Sequence, residues 1–283
     1  MIRSPLRYPG GKSRAVERIA SLIPEFTEFR EPFVGGGSVF VHLKQKFPDR
    51  KFWINDIYKD LTVFWQELQN DSKSVIGQVW RYRDQFQNGK ELHKFLQKHK
   101  IHFNETEIAA AFFIFNRITF SGTTEAGGFS MQAFEKRFTD SSIERLEKMP
   151  EVLQGVKITN LDYEETVNAD GENVFLFLDP PYFSATNSAL YGKNGHLHKS
   201  FDHERFAETL RNCRHRWLLT YDDSPFTRRL FSFANITGWD LMYGMRNQTP
   251  TSNQKGSELF ISNYSLQAAE TDEAVLEHAE TAK

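Results

Sequence analysis

From Lys12 to Ile23 the apolar positions fall at 15, 16, 19, 20, 22 and 23, a helical stripe stopped by Pro24. A strand is predicted over Phe29–Phe33, a turn at Gly35-Gly36-Gly37, a helix over Ser38–Lys46 and a second strand over Lys51–Asn55. That β-turn-α-β order is the unit of a parallel sheet. Between Ile57 and about Gly155 the pattern changes. Leu61, Phe64, Trp65 and Leu68, then Val75, Ile76, Val79 and Tyr82, then Leu92, Phe95 and Leu96, then Ile108 to Ile118 keep helical spacing with no strand among them. An inserted helical module follows from this. Strand-like runs return at Val156–Thr159, Val174–Leu178 and Trp217–Tyr221, with a helical stripe over Phe206–Cys213. Leu241–Gly244 and Glu258–Tyr264 are expected to close the sheet as an antiparallel pair, and the Ala/Glu/Thr-rich chain from about Gln267 to fray. The division expected is 1–57 with 155–266 as one discontinuous α/β unit, 58–154 as the helical insert and 267–283 as a tail.

No segment repeats with a period of 20 to 50 residues, which argues against solenoids and propellers. With 35 Lys+Arg against 37 Asp+Glu, the formal charge of -2 supplies no global field for a polyanion, so a nucleic-acid surface has to be local. The single cysteine, Cys213, excludes an internal disulfide and a Cys-rich zinc site and fits a reducing compartment. Runs such as Ile108–Phe115 are too short to cross a bilayer and the N-terminus has no charged-then-greasy leader, so a cytoplasmic protein is expected.

The most informative word is Asp179-Pro180-Pro181-Tyr182, directly after the apolar run Val174-Phe-Leu-Phe-Leu178. Such a run is a strand buried on both faces, so the four residues emerge at its carboxyl edge, where open α/β sheets bind ligands. Two prolines fix φ and remove two donors, leaving the Pro180 carbonyl and the Asp179 carboxylate as a stiff pair of acceptors suited to a planar NH2 group. Tyr182 adds an aromatic face for a flat heterocycle. The plainer reading is an Asp-Pro turn capping a strand. Glu31-Pro-Phe33-Val-Gly35-Gly-Gly37-Ser38 gives a backbone that a ligand could approach closely. A dinucleotide fingerprint would need a glycine where Phe40 stands. Asp56, at the end of the second strand, is placed to accept from ribose hydroxyls, or alternatively to cap a helix. Arg7-Tyr8-Pro-Gly-Gly11-Lys12-Ser13 imitates a phosphate loop, but Leu6 occupies the required glycine position. A glycine turn with Lys12 at a helix start and Tyr8 beside it suits a carboxylate and a cationic sulfur instead.

Taken together, Tyr8-Pro-Gly-Gly-Lys12, Glu31-Pro-Phe-Val-Gly-Gly-Gly37, Asn55-Asp56, Asn160-Leu-Asp162-Tyr163 and Asp179-Pro-Pro-Tyr182 resemble the Dam-type DNA adenine methyltransferases, in the order of the family's α arrangement. The resemblance extends to Phe201-Asp-His203, Leu218-Leu-Thr-Tyr-Asp-Asp223 and Gly256-Ser-Glu-Leu-Phe-Ile-Ser-Asn-Tyr264. It implies a Rossmann-like, mostly parallel sheet carrying a target-recognition insert, and methyl transfer from S-adenosylmethionine to N6 of a flipped adenine in double-stranded DNA, with no metal. It also implies cofactor contacts at Tyr8, Gly11, Lys12, Phe33, Gly35, Gly37, Asp56, Asp162 and Asp179, and catalysis by Asp179, Pro180, Pro181 and Tyr182. A cognate restriction endonuclease is a candidate partner, and a monomer or weak dimer is expected.

In the insert, Lys73, Arg81, Arg83, Lys90, Lys94, Lys98 and Lys100, with His93, His99 and His102, outnumber the acids Asp84 and Glu91 and suggest a phosphate-contacting face. Asn116-Arg117-Ile-Thr-Phe120-Ser-Gly122 resembles the start of the family's recognition hairpin, with Arg117 and Phe120 as DNA contacts. The Arg- and Asn-bearing strand that Dam proteins use for GATC is absent after it, so another short site or relaxed specificity is expected. Phe183–Ser200, with Tyr191, Lys193 and Lys199, is long enough to close over an extruded nucleotide, Lys193 being the DNA contact chosen. His196, His198 and His203 lack carboxylates at metal-ligand spacing and are expected to be solvated, and Cys213 to be packed. Alternatives on the same residues are a cytosine-N4 or RNA amino methyltransferase and a catalytically silent DNA-binding regulator.

Overall fold

The computed structural model describes residues 1–8, 10–122, 124, 127–183, 201–240 and 257–266. Strands β1 (Glu28–Glu31), β2 (Lys51–Asn55), β3 (Lys157–Thr159), β4 (Val174–Leu178), β5 (Arg216–Asp222), β6 (Asn235–Asp240) and β7 (Ser257–Ser262) form one seven-stranded sheet in the order β3-β2-β1-β4-β5-β7-β6. The first five are parallel, and β7 runs antiparallel between β5 and β6. The mixed α/β, Rossmann-like fold with a closing antiparallel pair is therefore present. Strand order reverses between β1 and β4, so the chain leaves the carboxyl ends of these two neighbours in opposite directions and opens a crevice there.

Helix α1 (Val16–Leu22) precedes β1, and α2 (Ser38–Lys46) connects β1 to β2. The insert between β2 and β3 is α3 (Lys59–Asn70), α4 (Ser72–Gln85), α5 (Gly89–His99), α6 (Glu105–Ile118), α7 (Met131–Arg137), α8 (Asp140–Glu147) and α9 (Met149–Leu153). Next come α10 (Tyr163–Asn168), α11 (His203–Arg211) and α12 (Pro225–Leu230). Helix α6 opens with a capping box, Asn104 with Glu107, and is buried from Ala109 to Ile118, because other insert helices pack on several of its sides. The insert has no core of its own. Leu61, Phe64, Trp65, Phe113 and Leu146 join Phe29, Phe175, Phe177, Leu218 and Phe260 from one face of the sheet. On the other face Leu176, Leu178, Trp217, Leu219, Tyr221, Leu259 and Ile261 pack with Phe206 and Leu210 of α11.

Several boundaries differ from expectation. Helix α1 begins at Val16, so Lys12 lies in the turn before it and not at a helix start. Cys213 lies just beyond α11 and packs half-buried against the second core. The strand pairing with β7 is Asn235–Asp240, while the expected Leu241–Gly244 lies outside the described residues. Strand β6 is an edge. Ile236 and Trp239 carry most of its packing, Trp239 stacking on Phe260 at 4.3 Å, so no alternating apolar pattern announces it.

Candidate active site

Alternation along the strands decides which side chains meet at the crevice. Phe175 and Phe177 face the helical core, so the next residue of that parity, Asp179, faces the same way as Leu218, Thr220 and Asp222 of β5 and as Phe260 and Glu258 of β7. The Thr220 hydroxyl accordingly donates to Asp179 Oδ1 at 2.8 Å, and the Phe183 amide donates to Asp222 Oδ1 at 3.0 Å. The Asp179–Phe183 turn is thus clamped at both ends to β5. Sequence reasoning gave Thr220 and Asp222 no role, although the period-two pattern of β5 sets them on the active face.

Both oxygens of the Asp179 carboxylate accept hydrogen bonds. Lys12 Nζ, only 3% exposed, donates to its two oxygens at 2.8 and 2.9 Å and to the Gly10 carbonyl at 2.9 Å. The Tyr182 hydroxyl donates to Oδ1 at 3.2 Å. The Tyr182 ring stacks on Tyr221 at 5.4 Å, and Lys12 Nζ sits 5.0 Å from its centroid. Of the acceptor pair expected from the sequence, the Asp179 carboxylate carries a lysine on both oxygens, and an incoming amine has to compete with that lysine for it.

Around Lys12 the site is acidic. Burial, then the nearby Asp179, pushes the Glu31 carboxyl well above its ordinary range, although its Oε2 accepts from the Phe40 amide at 2.9 Å. Burial raises Asp56 to about 6, against the backbone amides of Tyr58, Gly35 and Ile57. Burial likewise raises Glu258, on β7, to about 7. Such a cluster of buried carboxyls favours cationic ligands over anionic ones.

The glycine loop after β1 is shaped by Tyr8. Gly35 (φ +46°) lies so close to the Tyr8 ring that a Cβ would approach it to 2.8 Å, and a Cβ on Gly36 would meet Tyr8 Cβ at 2.8 Å. The close approach expected of a ligand is made, in part, by the protein's own ring. Gly37 (φ +65°) starts α2 against Trp65. Gly11 closes the preceding turn, its amide donating to the Tyr8 carbonyl at 2.9 Å. Asp56 ties the loop down through Gly35 N and Tyr58 N, both at 3.0 Å. Asn55, fully buried, binds Pro32 O, Leu161 N and Leu161 O, locking the ends of β1, β2 and β3 together.

Residues 8–245 match the D12 class of N6 adenine-specific DNA methyltransferases. The chain belongs to that family. It is similar to the DNA adenine methylase of Vibrio cholerae serotype O1, 28% identical over 250 residues, which span 83% of this chain and 86% of that protein. It is 28% identical over 201 residues to the type II methyltransferase M.MjaIII of Methanocaldococcus jannaschii, 62% of this chain and 68% of that one. It is 27% identical over 238 residues to the DNA N-6-adenine-methyltransferase of Escherichia phage P1, covering 81% of this chain but only 31% of the phage protein. The enzyme is thus a DNA adenine-N6 methyltransferase.

Other expected site residues of the methyltransferase are placed less directly. Phe33 sits in an aromatic cluster with Tyr163, Phe206 and Phe201, at centroid distances of 5.4, 5.6 and 5.8 Å. Asp162 caps α10 through Glu164 N at 2.9 Å and pairs with Arg205 at 3.1 Å, so its observed bonds are structural. Lys193, Tyr191, Lys199, His196 and His198 lie outside the described residues. His203 is buried, not solvated, and its ring bonds the Tyr221 hydroxyl. Of the basic run, Lys73, Arg81, Lys90, Lys94 and Lys98 are exposed, whereas Arg83 and Lys100 pair with Asp140 and Asp60 and His93 is buried against Phe115.

Arg117 is buried on α6, its guanidinium 5.2 Å from the Phe113 ring, with Nε and Nη2 unbonded among the described residues. Burial, followed by the neighbouring Arg145, Arg7 and Arg137, lowers its pKa to about 9. Beyond it, Thr119 bridges Phe129 antiparallel and Phe120 stands 70% exposed at the tip. Asn116 binds both Arg7 N (2.9 Å) and Arg7 O (2.6 Å), and a Cβ on Gly122 would meet Arg7 O at 2.5 Å. The insert's turn is therefore stitched to the segment that carries Tyr8 and Lys12.

Proposed function

We propose that the crevice between β1 and β4 binds S-adenosylmethionine beside an adenine rotated out of duplex DNA, and that Asp179 and the Pro180 carbonyl hold the adenine amine. The reading rests on one convergence: Tyr8–Lys12, Gly35–Gly37, Asp56 and Asp179–Tyr182, from four separate stretches, meet at one sheet edge. The donor set suits the cofactor. Buried carboxyls of Glu31, Asp56 and Glu258 favour its sulfonium and ammonium, and Asp56 keeps lone pairs for ribose hydroxyls. When bound, S-adenosylmethionine supplies an electrophilic methyl group.

The adenine amine is a poor nucleophile because its lone pair is delocalised into the ring. Accepting both N–H bonds, Asp179 and the Pro180 carbonyl favour the pyramidal nitrogen of the transition state. The prolines and the Thr220 and Asp222 clamps hold those acceptors still, so little reorganisation accompanies the step. A base within a duplex cannot reach the crevice, which makes extrusion part of the reading. We assign residues 58–154 to target recognition and the cytoplasm as the compartment; a cognate endonuclease remains a candidate partner.

The test is incubation of the protein with labelled S-adenosylmethionine and unmodified duplex DNA, followed by nucleoside mass spectrometry. Label in N6-methyladenine is expected; label in N4-methylcytosine, or none, overturns the reading.

Arg117 with Arg145, Arg7 and Arg137 around it, none with an acid partner among the described residues, fits a phosphate, which would relieve the repulsion on Arg117. Arg117→Leu is expected to weaken DNA binding across sequences and to reduce the slope of log K against log salt by about 1. An unchanged slope in a fluorescence-anisotropy titration would restrict Arg117 to bracing the insert.

A further inference from the structure

The proposed reaction needs Asp179 free, yet Lys12 occupies both of its oxygens. A buried ammonium cannot simply be released, since an unpaired charge in that position is strongly unfavourable. It needs a second seat within its own reach. Glu258 on β7 is 3% exposed, and neither of its carboxylate oxygens has a hydrogen-bond partner among the described residues. Buried carboxylates are ordinarily bonded, so this one marks a place built for a donor that comes and goes.

Its surroundings fit that use. Glu258 lies opposite Asp222 in the β5–β7 register, on the sheet face that carries Thr220 and Asp179. Among the described residues, Lys12, Asp179, Tyr182 and Asp222 are the charged and titratable groups acting on it, and Lys12 is the cation among them. Arg18 of α1 is held elsewhere, stacking on Trp239 and Phe260 at 5.5 and 5.7 Å. The Tyr182 hydroxyl lies against Glu258 but is turned to Asp179.

We propose that Glu258 is a positioning residue that receives the Lys12 ammonium when the adenine amine takes its place on Asp179. The inference rests on the proposed crevice and adds a moving part to it. Turning Lys12 toward Glu258 breaks its bonds to Asp179 and withdraws the cation from beside the Tyr182 ring, so one side-chain rotation frees both the carboxylate and an aromatic face. No atom is transferred; one ion pair is exchanged for another. The exchange requires Glu258 to be charged. Burial, opposed by Lys12 and the Tyr182 hydroxyl and reinforced by Asp179 and Asp222, raises its pKa to about 7, so the seat is available above neutrality and lost below it.

The test compares wild type, Glu258→Gln and Glu258→Asp in methyl transfer to N6 of adenine at saturating DNA and cofactor, across pH 6 to 9. Wild-type kcat is expected to fall as the pH drops through about 7. Glu258→Gln should lose about tenfold or more in kcat and flatten that limb, while Glu258→Asp restores part of both. Wild-type rate and pH profile in Glu258→Gln overturn the inference. Absence of N6-methyladenine with wild type overturns the crevice reading itself. Should Glu258→Gln fail to fold, a crystal structure of wild type with an unreactive cofactor analogue and duplex DNA decides. Lys12 Nζ bonded to Glu258 supports the exchange; Lys12 still on both Asp179 oxygens refutes it.

Discussion

Replacing Asp179 with alanine is expected to reduce methyl transfer by at least about 10²-fold while leaving the fold intact, the loss typical of one preorganised group in an acyl- or group-transfer site. The carboxylate is the one group at the tip of β4 that meets Lys12, Thr220 and Tyr182 together. Removing it leaves the amine a single acceptor, the Pro180 carbonyl, which cannot draw both N–H bonds. The fold should survive for a specific reason. Lys12, otherwise a buried unpaired cation, still faces the open carboxylate of Glu258. Asp179→Asn is the sharper variant, because it keeps the shape and one acceptor but removes the charge. It should fall between alanine and wild type. Single-turnover transfer of labelled methyl at saturating DNA and cofactor measures the effect, with circular dichroism as the folding control. Transfer within tenfold of wild type in Asp179→Ala would remove the carboxylate from the chemistry.

Why the sequence led to this corner, and where it stopped short, follows from what each kind of residue has to satisfy. Val174–Leu178 is apolar at every position because both faces of β4 are covered, and such a run names the strand and its exit at once. Gly35 and Gly37 stand at positive φ, a backbone demand that leaves its mark in residue type. Thr220, Asp222 and Glu258 left no such mark. Each is a polar residue at the carboxyl-edge end of an otherwise apolar strand or beside one, and only the β5–β7 register brings them to Asp179. Lys12 reads in one dimension as a residue for a ligand's carboxylate, whereas in the fold its nearest acid is 167 positions further on. The edge strand β6 was illegible because a strand with one neighbour and much exposed surface needs no alternation. Local patterns record local demands; pairings across the sheet have to be seen.

Arg30 makes the converse case, a buried charge devoted to the frame. It lies 1% exposed on β1 and stacks 5.1 Å from the Trp53 ring. Its Nε donates to Glu28 at 2.6 Å, its Nη1 to Thr166 O and Ala169 O at 3.0 and 2.8 Å, and its Nη2 to Asp170 O at 2.8 Å. The three carbonyls lie at and just past the C-terminal end of α10, where helix acceptors have no partners of their own. Arg30→Met fills similar volume but orphans those carbonyls and leaves Glu28 without its cation, so a loss of about 3–5 kcal/mol is expected, as for a broken buried pair. For a chain of this size that lowers Tm by roughly 10 °C. Arg30→Lys should recover only part, since a point charge cannot serve divergent acceptors as a planar fork does. Thermal denaturation followed by circular dichroism reads the shift, and methyl transfer measured well below the new Tm should stay near wild type, the reverse of the Asp179 pattern. A Tm within about two degrees of wild type would mean that α10 closes its own end and that the guanidinium contributes only packing.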